Sequence, residues 1–496
     1  MSDDILVNTT RGAGWAIGWR LLTRVLGLAN TLVLARLLVP GDFGLVAIAT
    51  GFSQGILALS QLGMEDALIR HRHATRALYD TAFTINLMRG LATSAVVAAL
   101  ALPMAAFFSE PRLGPVLLTL AACSLVTAFD NIGTVEFRRD FAFAREFKLL
   151  LAPRLLAIAV TVAVAWYSRS HWALVAGIAT SLLLGTLMGY RMHPYRPRLS
   201  LAHWHELSRL SLLSWATGVV VMVRDRVDGF VVGRLLGLPQ AGVYLVGAEL
   251  ATLPTHELAG PIARASFPSL SAAVRSGGET SQAYLRILAG ALLVALPAGV
   301  LVSLLAGPIV MLTLGPQWTA AVPVMRILGV VGAALVLGTI TATLLSAHGI
   351  LRPGFAILLG STTVRLLGAL ALVGPLGLVG AALAHALTIV VENLSFVVVA
   401  FRHFGIHTGR LLASIWRSLL AAVLMAAALW ASSVGQRGGT PLVDLTLGVA
   451  LGMLVYATAL ALCWMACGRP AGAERDLIAL LRKIAIDAGL RRRLRE

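Results

Sequence analysis

Long runs of apolar residues follow one another along almost the whole chain and are separated by short polar segments. A helix needs about 20 mostly apolar residues to cross the hydrocarbon core of a bilayer, because it rises only about 1.5 Å per residue. The pattern therefore predicts an all-α integral membrane protein. We place its fourteen candidate spans near residues 14–38, 44–62, 82–104, 113–132, 148–166, 172–190, 210–233, 241–263, 285–306, 321–346, 353–373, 377–400, 412–433 and 442–466.

The distribution of basic residues supports this arrangement. With fourteen spans and a cytoplasmic N-terminus, 27 of the 40 Lys and Arg residues fall in the two termini, in the even-numbered loops or at the adjoining helix ends, five fall in the loops and helix ends of the opposite side, and eight lie inside the spans. Cytoplasmic segments of membrane proteins are enriched in Lys and Arg, and an error of one span would scramble the bias downstream. We therefore expect fourteen spans with the N-terminus and the C-terminus both in the cytoplasm.

A short motif occurs twice, as ARLLVPGDFG at Ala35–Gly44 and as GRLLGLPQAG at Gly233–Gly242. Each copy falls between the first two helices of a six-helix block, which predicts two parallel-related lobes around a central cleft, followed by two C-terminal helices. The predicted domains are an N-lobe of helices 1–6 at 1–191, a basic cytoplasmic linker at 192–209, a C-lobe of helices 7–12 at 210–400, helices 13–14 at 401–467 and a tail at 468–496.

The seventh span is unusual because Arg224, Asp225, Arg226 and Asp228 interrupt its apolar sequence. A charge at membrane depth costs about 2.5–3.5 kcal/mol or more on insertion scales, so such residues face a bundle interior or a watery cavity. Arg224 and Asp228 are one helical turn apart, and mutual neutralisation is the simplest interpretation. That pair leaves Asp225 and Arg226 on other faces, so we expect a polar environment beside this helix.

Composition narrows the class of protein further. The chain is 58% hydrophobic and 13% charged, with a net charge of +17 and a mean hydropathy of +0.84, which excludes an ordinary soluble domain. Its basic residues are scattered between apolar runs, so a nucleic-acid partner is not indicated. We find no metal-ligand spacing, no cofactor motif and no nucleophile with a base, and we therefore expect no metal, no cofactor and no enzyme activity.

The charges inside the spans indicate what the protein handles. Guanidinium groups bind phosphate in a bidentate fork, so a surplus of arginine at membrane depth suits an anionic substrate, although a structural salt bridge is an equal alternative for any single arginine. Intramembrane carboxylates are candidates for charge pairing or for coupling to protons or sodium. The substrate-binding candidates are Arg20, Arg24, Arg89, Arg224, Arg226 and Arg365, and the carboxylate candidates are Asp225, Asp228, Glu249 and Glu392.

The last thirty or so residues differ from the rest. One apolar helical face, which includes Leu477, Leu481 and Ile484, is surrounded by basic residues such as Arg475 and Lys483. This pattern is typical of an amphipathic helix on an anionic cytoplasmic membrane surface. A simple topology anchor explains the same pattern.

Five segments carry a resemblance to a known family: LVLARLLVPGDFG at Leu32–Gly44, QLGM at Gln61–Met64, DGFVVGRLLG at Asp228–Gly237, FPSLS at Phe267–Ser271 and TRVLG at Thr23–Gly27. They resemble the Wzx-type polysaccharide flippases of the polysaccharide transport family, and TRVLG is also seen in the related lipid II flippases. One departure is Val243-Tyr244, where the family more often has an aromatic pair.

This resemblance implies the fold of the multidrug/oligosaccharidyl-lipid/polysaccharide exporter superfamily in a bacterial cytoplasmic (inner) membrane. It implies transfer of undecaprenyl-pyrophosphate-linked oligosaccharide across the bilayer for exopolysaccharide, capsule or O-antigen synthesis, with a polysaccharide polymerase and export proteins as further partners. The TRVLG match implies that Arg24 is the foremost candidate for a substrate contact, and Arg20 lies one helical turn before it. A lipid II flippase, a drug/cation antiporter of the same superfamily and a non-transporting assembly scaffold are the alternatives.

Overall fold

Almost every residue that the structure describes lies in a helix, as the long apolar runs predict. The structure is a computed structural model and describes residues 22–60, 68, 75–140, 142–207, 212–275, 280–350, 352–432, 440–470, 472–477 and 479. No strand occurs among these residues. The prediction of an all-α membrane protein is confirmed.

The helices divide between two compact units, Met1–Gly242 and Val243–Glu496. The domain boundaries that the sequence predicts at 191, 209, 400 and 467 are not tested by this division and stay predictions. The first unit contains α1 (22–37), α2 (Pro40–Leu59), α3 (Arg76–Phe107), α4 (Leu113–Thr127), a 3-10 turn (Ile132–Val135), α5 (Glu136–Arg139), α6 (Phe143–Ser168), α7 (Trp172–Met192), α8 (Trp204–Leu207) and α9 (Leu212–Leu236).

The second unit holds nearly all of the long helix α10, which begins at the end of the first. Its elements are α10 (Leu238–Arg275), α11 (Thr280–Leu304), α12 (Ala306–Thr313), a 3-10 segment (Pro316–Ala321), α13 (Val322–Gly332), α14 (Leu335–Ala347), α15 (Arg352–Phe404), α16 (Thr408–Ser432), α17 (Pro441–Ala466) and a short helix at 473–477.

Length and apolar composition identify eight helices that could cross a membrane within the described part of the chain, or up to ten if each of two bent helix pairs is one span. The helix α9 is not among them because its five charged residues lower its hydropathy. The number of fourteen crossings is therefore not confirmed and stays a prediction.

The helix α15 is a hairpin rather than one straight helix. Gly377 has φ 60° and ψ −136°, a backbone conformation that residues with a Cβ rarely adopt. Beyond this turn the chain folds back on itself, so that Gly380 lies against the carbonyl of Leu372 and Gly368 lies against Ala384. The two arms agree with the spans expected at 353–373 and 377–400.

Each unit has its own buried apolar core. In the first unit, Leu45 and Ile48 of α2 pack with Val116 and Leu117 of α4. In the second unit, Leu288 and Leu292 of α11 pack with Val336 and Ile340 of α14. Many other apolar side chains on the spans are exposed, as expected of helices whose outer faces meet lipid rather than water.

The two copies of the repeated motif lie against each other in the first unit. Gly44 packs on the carbonyl of Leu238, and Gly242 packs on the carbonyl of Pro40. Gly44 and Gly242 occupy the same position in the two copies, as do Pro40 and Leu238. The contact, which we call the glycine crossing, is therefore reciprocal, and a methyl group on either glycine would overlap the backbone opposite.

The linker after α7 is bound along the start of α3, in a way that the basic composition of 192–209 does not reveal. Asp80 Oδ1 accepts hydrogen bonds from the Tyr195 hydroxyl at 2.7 Å and from the Arg198 backbone N–H at 3.0 Å. The Ser200 N–H donates to Thr84 Oγ1 at 2.9 Å. Burial and the hydrogen bond to Asp80 raise the pKa of Tyr195 above its ordinary value.

We expect Gly44→Ala and Gly242→Ala each to destabilise the protein by about 1–3 kcal/mol, because the new methyl group forces two backbones apart. The measurement is thermal unfolding of the purified protein in detergent. Gly218→Ala on α9 is the matched control, since no neighbouring atom lies within 4 Å of its Cβ position and Ala favours a helix by up to about 1 kcal/mol. Equal melting of all three variants would contradict the steric role of the crossing.

We expect Asp80→Ala to loosen the linker, because two part-buried hydrogen bonds from Tyr195 and Arg198 are lost, at a cost of about 0.5–1.5 kcal/mol each. The measurement is limited trypsin digestion after Arg198, whose side chain is exposed. Faster cleavage than in the wild type is the expected result. Asp140→Ala is the control, because Asp140 is exposed and forms only a 3.5 Å ion pair with Arg139; unchanged cleavage in Asp80→Ala would refute the tether.

Candidate functional site

The charged helix α9 packs on a glycine-bearing face of α2. The side chain of Arg226 crosses Gly51 together with Phe230, and Met222 crosses Gly55 one turn further along. Glycines four residues apart lie on one face of a helix and let a neighbouring helix approach closely. The sequence of α2 therefore determines how near the charges of α9 lie to it.

The guanidinium of Arg226 reaches across α2 and donates a hydrogen bond from Nη2 to Gln54 Oε1 at 2.6 Å. The neighbouring Arg224 has its Nε 3.7 Å from Asp225 Oδ1. Asp228 is only 3% exposed, so its environment is fixed by the surrounding helices. The expected pairing of Arg224 with Asp228 stays a prediction. The polar environment expected beside α9 includes the side chain of Gln54.

Arg89 is held by an amide on its own helix. Its Nη2 donates to Asn86 Oδ1 at 2.6 Å, and Asn86 Nδ2 donates to the carbonyl of Ala128 at 3.2 Å. Gly90 brings α3 close to Ala128 at this point. The half-buried guanidinium is therefore oriented by a hydrogen-bonded relay to the end of α4.

Arg24 lies half-buried on α1, whereas Arg20 lies outside the described residues. Three residues after Arg24, on the same helical face, Gly27 packs against the guanidinium of Arg154 from α6. Arg154 makes no ion pair with any described residue. The structure thus adds Arg154 to the side of α1 that carries Arg24.

In the second unit, Arg365 is part of a small polar cluster across the α15 hairpin. Its Nη2 lies 3.1 Å from Nδ1 of His385 on the other arm, and the hydroxyl of the buried Tyr244 lies 3.3 Å from the same nitrogen. Because a guanidinium only donates, Nδ1 is the acceptor, and the imidazole proton is carried on Nε2.

The remaining carboxylates have different surroundings. Glu249 is exposed on α10 and forms no ion pair with a described residue, while Glu392 is half-buried on the second arm of α15. Among the residues that the structure describes, no three His, Cys, Asp or Glu side chains converge as a metal site. Proton or ion coupling through these carboxylates stays a prediction.

The predicted site residues are thus distributed over both units. Arg24, Arg89, Arg224 and Arg226 belong to the first unit and Arg365 to the second. Sequence reasoning missed the residues that position them. The available signal for these partners was a polar or aromatic side chain within an apolar helix, and the partners are Gln54, Asn86, Tyr244 and His385.

Comparison with known families decides the assignment. A family profile described as "Polysaccharide biosynthesis protein" matches residues 33–323, more than half of the chain, including both motif copies and the whole of α9. The chain belongs to this family. The charged helix α9 therefore lies within the region that the profile of this polysaccharide biosynthesis family matches.

Two relatives illustrate the similarity. The succinoglycan biosynthesis transport protein ExoT of Rhizobium meliloti is 23% identical over 64% of this chain and 65% of its own length. The lipopolysaccharide biosynthesis protein WzxC of Escherichia coli is 22% identical over 68% of this chain and 70% of its own length. The matched region is therefore about two thirds of each relative.

Two solved structures share the fold of this polysaccharide biosynthesis protein. The lipid II flippase MurJ in an inward closed conformation superposes with a TM-score of 0.73 at 13% identity, over 92% of this chain and 99% of that one. An inward-facing multidrug resistance MATE family transporter of the MOP superfamily gives 0.60 at 16% identity, over 82% and 95%. The superfamily fold expected from the sequence resemblance is confirmed.

We expect Gln54 and Arg226 to be coupled energetically, because their hydrogen bond joins α2 and α9. In a double-mutant cycle followed by thermal unfolding, Gln54→Leu and Arg226→Ala each lower stability by about 1 kcal/mol, and the double variant loses less than the sum. Gln240→Leu, whose side chain makes no hydrogen bond with a described residue, is the control. Strictly additive losses would contradict the coupling.

Proposed function

We propose that this polysaccharide biosynthesis protein is a flippase. It moves an undecaprenyl-pyrophosphate-linked oligosaccharide from the cytoplasmic to the periplasmic leaflet for the synthesis of exopolysaccharide, capsule or O-antigen. The membership in the family supports this function, as does the MurJ-like fold. The observation that carries it is a helix of spanning length, α9, that contains Arg224 and Arg226 and on which Arg226 donates a hydrogen bond to Gln54 of α2.

The chemistry of the substrate explains why arginines are needed. A pyrophosphate is doubly ionised and strongly hydrated, so it crosses hydrocarbon only if other groups replace its water. Guanidinium groups do this with bidentate, charge-assisted hydrogen bonds and stay protonated at every accessible pH. Arg24 and Arg89 supply such groups on the first unit, and Arg365 supplies one on the second.

The surroundings of these arginines suit transient binding. Asn86 and Gln54 are neutral groups that accept hydrogen bonds from Arg89 and Arg226 and so help to orient both guanidinium groups. The protein binds and orients the pyrophosphate while alternating access moves it, and no bond is made or broken.

The alternatives predict different substrates. A lipid II flippase has the same fold and also takes a polyprenyl pyrophosphate, so only the glycan separates the two. A drug/cation antiporter would favour a surplus of acidic residues, which the five described arginine candidates disfavour. A non-transporting assembly scaffold leaves the insertion cost of these charges unexplained.

The chain is a multi-pass membrane protein. We place it in the bacterial cytoplasmic (inner) membrane, with its N-terminus and C-terminus on the cytoplasmic side, as its basic segments suggest. A polysaccharide polymerase and export proteins are its proposed partners, because a flipped repeat unit must be polymerised and exported after it reaches the periplasmic leaflet.

We expect Arg24→Ala to reduce surface polymer by at least about tenfold, because the loss of a charge-assisted phosphate contact costs about 1.5–3 kcal/mol. Arg24→Lys should retain part of the activity, since Lys keeps the charge but not the fork. The measurement is surface polysaccharide, with membrane levels of each variant checked by immunoblotting.

The control is Arg145→Ala, which removes an exposed arginine near the start of α6 that has no ion-pair partner among the described residues. It should leave export unchanged. Normal polymer in cells with Arg24→Ala at normal protein levels would refute the role of Arg24 in substrate binding.

A further inference from the structure

The beginning of the C-terminal tail is fastened to two spans of the second unit. Arg417 of α16 donates from Nε to Glu474 Oε1 at 2.6 Å and from Nη2 to Glu474 Oε2 at 3.1 Å. Both side chains are nearly buried, at 11% and 7% exposure. Arg286 of α11 forms a bidentate pair with Asp476, in which Nε donates to Oδ2 at 2.5 Å and Nη2 donates to Oδ1. The tail therefore bridges α11 and α16.

A cavity of about 750 Å³ lies between the tail and these helices. This volume is within the range of about 300–1,000 Å³ that small-molecule sites occupy. Its described lining contains two arginines, each paired with a carboxylate of the tail, together with an apolar part from Leu285, Ile287 and Ala413. The polar lining residues are Ser269, Gln282, Arg286, Ser414 and Arg417.

The two arginines have binding capacity left. Each uses Nε and one Nη for its carboxylate, and a guanidinium has five N–H donors in a planar fork. Neither Nη1 donates a hydrogen bond to any residue in the described part of the chain. A second anion that enters the cavity therefore meets unused donors from two helices.

An apolar surface lies on α16 beside the residues that line the cavity. Leu412, Trp416, Leu420 and Val423 are exposed and follow one another at intervals of three or four residues, which places them on one side of the helix. Trp416 lies beside Arg417, with the guanidinium 6.0 Å from its ring centre. Tryptophan is enriched where a membrane meets water, so this surface suits acyl chains below an anionic head group.

We propose that the cavity binds the phosphate group of a lipid, held by Arg286 and Arg417, with the acyl chains along α16. The site is independent of the transport function, because neither arginine is among the substrate-binding candidates. An occupied site would add a phosphate to the ties that hold the tail on α11 and α16.

The test is native mass spectrometry of the full-length protein in detergent, titrated with phosphatidic acid or with phosphatidylcholine. We expect the wild type to prefer phosphatidic acid by about tenfold or more, and the double variant Arg286→Gln/Arg417→Gln to lose that preference. Arg410→Gln removes an exposed charge from the same helix outside the cavity and should keep it. An equal loss in Arg410→Gln would overturn the site in favour of general surface attraction.

Two further variants keep the proposal testable if the double variant fails to fold. Ser414→Phe fills the cavity without touching either ion pair and should abolish the preference. Asp476→Asn removes a neighbouring negative charge and should strengthen it. Unchanged binding in both variants would refute the proposal.

A final arm uses inorganic phosphate as the probe. It should bind at least about tenfold more weakly than phosphatidic acid, because it lacks acyl chains to bury. Equal affinity would show that the site takes a free phosphate and would overturn the lipid assignment.

Discussion

The cost of holding charge inside an apolar helix is the constraint on which this structure depends. In α9 five charged residues lie within a helix of spanning length, and each needs a polar contact or a charge of opposite sign. Arg226 donates a hydrogen bond to Gln54, and Arg224 forms an ion pair with Asp225. Likewise, Arg89 donates a hydrogen bond to Asn86, and Arg365 donates one to His385. Gln54 and Asn86 are neutral acceptors, so these two contacts orient an arginine without adding a negative charge beside it.

Glycines allow the helices to approach closely enough for these contacts to form. Gly51 and Gly55 leave room on α2 for the side chains of α9, and the reciprocal packing of Gly44 and Gly242 fixes where the two motif copies meet. Without a hydrophobic force between helices in lipid, close packing of small residues is a principal source of association. Gly44 and Gly242 thus give the repeat in the sequence a role in packing, and Gly51 and Gly55 set how closely the charged helix approaches α2.

The sequence predicts much of the fold, because membrane helices must satisfy their backbone internally and therefore follow apolar run length. The two spans that meet near Gly377 and the charged residues within α9 both follow from the sequence. The partners of the arginines were not, since Arg365 and His385 or Asp80 and Tyr195 meet only after the helices pack. The tail illustrates the same limit: its basic composition indicates a membrane surface, whereas Glu474 and Asp476 are the residues that fasten it.

The central claim is that this polysaccharide biosynthesis protein moves a lipid-linked glycan between leaflets. Its most direct test is the leaflet distribution of the lipid-linked oligosaccharide in cells with and without the protein. We predict that loss of the protein traps the intermediate on the cytoplasmic side and stops the formation of surface polymer. An intermediate that never forms would place the protein in synthesis or scaffolding, and normal polymer with altered drug sensitivity would identify an antiporter; either result would contradict the flippase function.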